Sequence, residues 1–437
     1  MKSISSKRLK GNILIPGDKS ISHRVVILSS IAIGISKIKG LLLSDDVKKT
    51  IESMTSFGAS IKFSSRGICT IEGVGLGGIL EPKAPLNFDN SGTSARLVMG
   101  LASTHNITSI FTGDASLSSR PMKRVLKPLT NFGANYSLRK DNFLPAILKG
   151  SDLPIPFTYE LKEPSAQIKS AILLGALNTP GTTKVIDKYN TRDHTERLLD
   201  LYDADIEVRK IRSIKEISIN GVNDLKALNI DIPGDPSSAI FPIVASLICK
   251  GSDITVKNIL INPTRDGAFR VLKNMGAKLK FMNHKRLAGE DVYDINAKYS
   301  DLKGVDIKKH ISPTMIDDYP IIAIAASKAK GKTTMRGLSE LKLKESNRFE
   351  GIINLLRKSG VKVEQKNNDI IIYGNNELKS GGFEFQTYLD HRMAMSALIM
   401  GLISKKEIEI DNSDTINTSF PTFYSVMLKI NSKISRA

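Results

Sequence analysis

Tryptophan is absent from this 437-residue sequence, aromatic residues make up only 6% of it, and there are two cysteines. Two thiols cannot build a disulfide scaffold or a CxxC metal site. Cys69 and Cys249 lie in the apolar stretches "GICTIEG" and "IVASLICKG", where a buried, inert thiol is the default. That fits a reducing compartment. No apolar run approaches the ~20 residues that span a bilayer. The opening "MKSISSKRLKGN" has no apolar core of a secretory signal. A cytoplasmic chain with no membrane partner is expected. Acidic residues are the remaining shortage: 44 Asp and Glu face 63 Lys and Arg, a formal net charge of +19. Part of that excess is ordinary surface lysine; the rest suits anionic partners. Without Trp, and with cations dispersed along the chain, there is no stacking platform for bases, so nucleic acid is not the expected partner.

The rest of the composition is globular, with 41% hydrophobic and 24% charged residues. Internal repetition organises it. One ending recurs: "FGASIKF" (57–63), "FGANYSL" (132–138), "YDADIEV" (202–208), "MGAKLKF" (275–281) and "SGVKVEQ" (359–365). Each follows an amphipathic helical stretch, is broken by Gly or Asp, and continues in strand-like alternation. Those helices open on polar caps, as in "SDDVKKTIESM", "TRDHTERLLDL" and "KESNRFEGIINLL"; a sixth, "SFPTFYSVMLKI", closes the chain. Between them lie six helices that are apolar all round and therefore buried: "GDKSISHRVVILSSIA", "DNSGTSARLVMGLAS", "EPSAQIKSAILLGAL", "GDPSSAIFPIVASLI", "TMIDDYPIIAIAAS" and "LDHRMAMSALIMGLIS". The pattern is six units of roughly 70 residues, each with two helices and several short strands. They divide into two globular halves of three, with a crossover near 233–235, where "PGD" repeats the "PGD" at Pro16.

The buried helices begin with charge and hydroxyl. A helix N-terminus exposes unpaired N–H groups and the positive end of a macrodipole, so it favours anions. Lys19, Arg24, Arg96, Arg120, Arg192, Lys344, Arg348 and Arg392 all lie at or near such starts. Arg forks match phosphate and carboxylate; Lys offers a point charge. One such Arg is ordinary surface; recurrence at the same place in several units carries the argument. Two other patterns fail. "AASKAKGKTT" (325–334) has Ala326 where a P-loop needs its first Gly and follows a helix instead of a strand. "RDHTE" and "LDHR" lack paired metal-ligand spacing, so no metal site is expected.

"PGDKSISHR", "NSGTSARLVMGL", "GDASLSSRPMKRVLKPL", "PSAQIKSAILLGAL", "TRDHTERLL", "PGDPSSAIFPIVA", "MIDDYPIIAIAA", "LKLKESNRF" and "DHRMAMSALIMGL" resemble, in order and over nearly the whole chain, the 5-enolpyruvylshikimate-3-phosphate synthase (3-phosphoshikimate 1-carboxyvinyltransferase) family, most closely its class II branch. The resemblance implies an α/β fold of two inside-out α/β barrel domains, each of three βαβαββ repeats. One domain would comprise 1–17 plus 236–437 and the other the inserted 18–235, with the active site in the cleft between them. It implies transfer of the enolpyruvyl group of phosphoenolpyruvate to the 5-hydroxyl of shikimate 3-phosphate, with release of phosphate, on the route to aromatic amino acids. No metal or organic cofactor is implied, and the chain would act as a monomer on two small anions.

The same resemblance implies site residues. Lys19 would touch both substrates. Ser20, Arg24, Ser165, Ala166, Gln167, Arg192, Asp317 and Lys344 would hold shikimate 3-phosphate. Gly92, Thr93, Arg120, Gln167, Arg348 and Arg392 would hold phosphoenolpyruvate. Asp317 would accept the hydroxyl proton and Glu345 would protonate the methylene carbon. Asp317 and Asp318 point about 100° apart on a helix, so Asp318 is expected to be a cap. His23 is expected to be structural. Gly92, which is Ala in some class II members, is expected to leave the enzyme sensitive to glyphosate. "NTSFPTF" lacks the Lys that some members carry before "FP", so that contact has no counterpart. The enolpyruvyl transferase that acts on UDP-N-acetylglucosamine uses a loop Cys as acid, and neither Cys69 nor Cys249 suits that role. A catalytically dead relative is disfavoured because "GDKS", "KES", "DHR" and Asp317 are intact.

Overall fold

The structure, a computed structural model, describes residues 1–65, 67–375 and 381–436. Its α-helices come in pairs. α1 (Lys19–Ile31) is followed by α2 (Asp45–Ser56), and α3 (Gly92–Ala102) by α4 (Lys123–Leu129). The pattern continues with α5 (Ala166–Ala176) and α6 (His194–Leu201), then α7 (Pro236–Ile248) and α8 (Gly267–Asn274). α9 (Tyr319–Lys328) with α10 (Arg348–Lys358), and α11 (His391–Gly401) with α12 (Phe423–Lys429), complete the set. The first of each pair is buried nearly all round; every residue of α7 and α11 is buried. The second buries one face only, as its mixed sequence requires. Each second helix is stopped by a residue in the left-handed region: Gly58, Gly133, Asp203, Gly276, Gly360 and Asn431, with φ between 61° and 106°. Their N–H groups turn back toward the last carbonyls and release the chain into the next strand.

The chain divides into two compact units. One comprises Met1–Pro16, Pro233–Arg286 and Glu290–Ala437; the other comprises Gly17–Ile232 with Leu287–Gly289. Among the described residues each unit holds three pairs of helices and three sheets. The repeat is plainest around α3 and α4. Leu86–Asn87 runs parallel to Thr108–Thr112, which pairs antiparallel with Phe143–Lys149, which pairs with Asn135–Arg139. The order along the chain is βαβαββ. The sheets around α5/α6 and α9/α10 repeat it. Two repeats take their first strand from elsewhere. Ala32–Lys39, after α1, is flanked in parallel by Leu225–Lys226 and Asn229–Asp231. Asp253–Leu260, after α7, is flanked in parallel by Lys10–Leu14 from the chain start. Lys2–Ser3 completes the sheet of α11 and α12. The first sheet of each unit is therefore completed by a strand that lies far along the chain from its helix. The fold is the expected α/β one, two inside-out barrels with buried helices inside and sheets outside.

Polar helix starts do not all work as caps. Asp18, Ser165, Asp235 and Asp390 accept backbone N–H groups of their own helices, from backbone with ψ of 105–127°. Asp193, Asp266 and Asp318 sit at N-cap positions with ψ of 20°, 3° and −5°, and their side chains make no cap bond. Extended backbone aims the carboxylate at the N2 and N3 groups; backbone near ψ 0° aims it away. Asp193 and Asp266 pair instead with Arg197 and Arg270, one turn on. The expectation that Asp318 is a cap is thereby corrected.

The "AASKAKGKTT" segment runs from the end of α9 into the strand Gly331–Met335, which is not a P-loop setting. No helix among the described residues is long and apolar enough to cross a membrane. Backbones of α3 and α5 meet directly: a Cβ on Gly100 would lie 2.3 Å from the Ala171 carbonyl oxygen. Gly100→Ala is expected to lower the unfolding free energy by about 1–3 kcal/mol, read from the urea midpoint. An unchanged midpoint would mean that these two helices separate at no cost.

Candidate active site

In the unit built on 17–232, three buried helices present their first turns bound to one another. At the start of α1, Asp18 caps the helix through the Ile21 N–H at 2.8 Å, and Lys19 Nζ lies 2.8 Å from Asp46 Oδ2. Ser20 follows, and its carbonyl takes Arg24 Nη1 at 2.9 Å. Arg24 is buried. It donates from Nε to Thr195 Oγ1 at 2.6 Å, on α6, and from Nη2 to Ser170 Oγ at 2.8 Å, on α5. At the start of α3, Arg96 Nη1 donates to Gln167 Oε1 at 2.8 Å, and Gln167 Nε2 donates to Thr93 Oγ1 at 2.9 Å. Gln167 thus ties α5 to α3. Ser165 caps α5, accepting from the Ile168 N–H at 3.4 Å, with Ala166 as its first helical residue. Arg120, in the turn before α4, reaches Asn90 Oδ1 at 2.6 Å and Ser116 Oγ at 2.9 Å. Gly92 is wedged between two guanidinium groups: a Cβ there would lie 2.8 Å from Arg96 Nη1 and 3.2 Å from Arg120 Nη1. Arg192 is half-buried in the turn before α6.

In the other unit a single guanidinium collects the acidic residues. Arg348, the first residue of α10, is fully buried. Its Nε lies 2.8 Å from Asp390 Oδ2, its Nη2 2.7 Å from Glu345 Oε2, and its Nη1 3.3 Å from Asp317 Oδ1. Burial alone would weaken the charged form; Asp390, Glu345 and Asp317 more than offset it and leave the guanidinium firmly protonated. Lys344 Nζ also lies 3.3 Å from Asp317 Oδ1. Arg392, in the first turn of α11, sits 3.6 Å from Asp318 Oδ1. Burial pushes the Asp318 carboxyl up, against the pull of Arg392 and Arg265. Adjacent aspartates thus serve different cations, and the structure gives Asp318 the task of holding Arg392.

The fold brings together Lys19, Ser20, Arg24, Gly92, Thr93, Arg120, Ser165, Ala166 and Gln167 in one unit, and Asp317, Lys344, Glu345, Arg348 and Arg392 in the other. Asp390, Asp46 and Asn90 are among the partners that escaped the sequence reading. Asp390 caps α11 through the Arg392 N–H at 2.9 Å and grips Arg348 at the same time. Asp46 pairs with Lys19, and Asn90 with Arg120. Asp390 was visible only as a capping residue; its second task depends on α10 lying beside α11. Cys69 and Cys249 are buried, with thiols pushed up by burial to about 11 and about 12. Neither suits a reactive acid.

A profile of the family described as EPSP synthase (3-phosphoshikimate 1-carboxyvinyltransferase) matches residues 4–427. The chain belongs to the EPSP synthase family. It is 46% identical over 423 residues to a 3-phosphoshikimate 1-carboxyvinyltransferase of Parvibaculum lavamentivorans, covering 97% of this chain and 94% of that one. It is also 46% identical over 419 residues to the enzyme of that name from Zymomonas mobilis, covering 95% and 92%. The EPSP synthase structure from Acinetobacter baumannii superposes with a TM-score of 0.87 at 36% identity, over 98% of this chain and 97% of that one. The enolpyruvyl transferase NikO from Streptomyces tendae shares the fold, with a TM-score of 0.78 at 16% identity, over 100% and 98% of the two chains.

His23 lies among these first turns. Its Nδ1 meets Thr50 Oγ1 at 2.6 Å, Thr50 Oγ1 meets Ser94 Oγ at 2.7 Å, and Nε2 is buried with no hydrogen-bond partner among the described residues. Burial, with Lys19 and Arg24 nearby, holds the imidazole well below its usual range. An unfolded His takes up a proton below about pH 6.5, whereas the folded one stays neutral. Below that pH the unfolded state binds more protons, so stability falls as pH falls. Between pH 6.5 and 5.5 the loss is about 1 kcal/mol. His23→Gln should remove that slope from urea unfolding curves; equal slopes in the two proteins would contradict it.

Proposed function

We propose that these two clusters carry out the reaction of the EPSP synthase family on one pair of substrates. The chain transfers the carboxyvinyl group of phosphoenolpyruvate to the 5-hydroxyl of shikimate 3-phosphate and releases phosphate. It does so by addition and elimination, within the shikimate pathway. The observation that carries the residue assignment is the buried Arg348, which holds Asp317 and Glu345 at 3.3 and 2.7 Å on one guanidinium.

The addition step needs a base at the hydroxyl and an acid at the methylene. Asp317 takes the 5-hydroxyl proton while that oxygen bonds to C2 of phosphoenolpyruvate. Glu345 delivers a proton to C3, giving a tetrahedral adduct. In the second step C3 loses a proton to Glu345, the double bond re-forms, and the C2–O bond to phosphate breaks as Asp317 returns its proton to the departing phosphate. Arg348, Arg392 and Arg120 hold phosphoenolpyruvate, with Gly92, Thr93 and Gln167 beside it. Arg24, Arg192, Ser20, Ser165, Ala166, Gln167 and Lys344 hold shikimate 3-phosphate. Lys19 reaches both and stabilises charge on the departing phosphate.

Two phosphates at about −2 each and two carboxylates bring roughly six negative charges. Anions so charged repel in water, and fixed cations that hold them together remove that barrier before chemistry begins. Some of these cations already face carboxylates of the chain, so binding exchanges one anionic partner for another instead of filling bare positive charge. The same reading makes the chain a cytoplasmic monomer without nucleic-acid or membrane partners; sedimentation at working concentration tests the monomer.

Phosphate release from the purified chain should require both substrates and fall by about 10²–10³ in Lys19→Ala. Release without shikimate 3-phosphate, or a variant as fast as the parent, would overturn the assignment. Gly92→Ala should displace the Arg96 and Arg120 tips. It should weaken glyphosate inhibition and raise the half-saturation for phosphoenolpyruvate; inhibition unchanged by the substitution would contradict that placement.

A further inference from the structure

Lys169 is a lysine with no solvent exposure, two residues past Gln167 on α5. The reaction just described does not use it. Its ammonium lies 3.1 Å from Asp187 Oδ2 and 2.6 Å from Glu196 Oε1, and it donates to the Thr191 carbonyl at 3.3 Å. All three charged groups are buried. A buried charge of this kind is weak evidence for stability, since an apolar replacement often costs nothing, and its use is more often to fix one arrangement.

The neighbours of this triad show what is fixed. Asp187 accepts the N–H groups of Tyr189 and Thr191, both at 2.9 Å, and the Thr191 hydroxyl at 2.7 Å. Asn190 sits in the left-handed region at φ 52°. One carboxylate and the Lys169 ammonium thus hold the tight turn that delivers Arg192. Ser170, next to Lys169, and Thr195, next to Glu196, are the two hydroxyls that hold Arg24, and they bond each other at 2.6 Å. The first turn of α5, with Ser165 and Gln167, lies directly below.

We propose that Lys169 is a positioning residue for the phosphate of shikimate 3-phosphate. Through Asp187 and Thr191 it sets Arg192; through Ser170 and the Glu196–Thr195 pair it sets Arg24. Gly92, Thr93, Arg120, Arg348 and Arg392, which hold phosphoenolpyruvate alone, make no hydrogen bond or ion pair with the triad among the described residues and are left alone. The opposing burial and carboxylate effects on Lys169 resolve in favour of its charged form, as this role needs. The proposal rests on the substrate reading above.

The test is steady-state kinetics on the full chain, varying each substrate in turn, with thermal unfolding alongside. Lys169→Met should raise the half-saturation for shikimate 3-phosphate about tenfold or more, with less than about a twofold change for phosphoenolpyruvate. A purely structural role would shift both equally or shift only the unfolding temperature, and either result overturns the proposal. Lys169→Met leaves two carboxylates facing each other, and a failure to fold moves the test to Glu196→Gln and Thr191→Val. Each should give a selective loss of about three- to tenfold; no loss, or an equal one, overturns it. Calorimetric binding of shikimate 3-phosphate alone separates the two readings. Weaker binding in the variants supports the positioning role even where turnover of this substrate pair fails.

Discussion

A charge taken out of water has to be matched, and much of the chemistry of this chain follows from how its buried cations are matched. Arg348, Arg24 and Lys169 are all buried. Arg348 is answered by three carboxylates, Lys169 by two, and Arg24 by hydroxyls and a carbonyl. Carboxylate partners neutralise the cation; hydroxyl partners only orient it. Arg348 must exchange a partner to accept an anion. Its partners in that exchange, Asp317 and Glu345, are the groups assigned to move protons. In the proposed assignment, binding and proton transfer are coupled through one guanidinium.

The repeat architecture makes such matching possible. Each unit carries three helices apolar enough to be buried, with polar first turns left over. Side chains from neighbouring repeats meet there: Arg24 reaches α5 and α6, Gln167 reaches α3, and Asp390 on α11 reaches α10. Close backbone contact, as at Gly100 against Ala171, fixes where those first turns stand. Strands distant along the chain, Lys10–Leu14 in one unit and Leu225–Lys226 with Asn229–Asp231 in the other, complete the first sheet of each unit.

Much of this was legible in the sequence. Two helical periodicities, one apolar all round and one amphipathic, distinguish the buried helices from the outer ones, and Gly or Asp stops mark the end of five of the six outer helices; the Asn431 stop of the sixth went unread. Motifs such as "GDKSISHR" and "KESNR" placed cations at helix starts. Local signals failed where a side chain had a choice of partner. Asp18 and Asp318 look alike as residues before helices, yet one caps and the other faces Arg392, because backbone ψ differs by more than 120°. Asp390 looked like a cap and is also a counter-ion. Lys169 sat unremarked in an apolar helix, since nothing nearby in sequence says that Asp187 and Glu196 fold over it. These long-range strand pairings were equally hidden, because the strands are two to five residues long and lie far along the chain from the sheets they complete.

The central claim is that one buried guanidinium fork holds phosphoenolpyruvate beside both proton-transfer groups. Arg348→Lys keeps the charge and removes the fork, so its half-saturation for phosphoenolpyruvate, at saturating shikimate 3-phosphate, tests the claim directly. The account predicts a rise of at least about tenfold, since a point charge cannot replace bidentate contact, with a much smaller change for shikimate 3-phosphate. A value equal to that of the parent chain would contradict it.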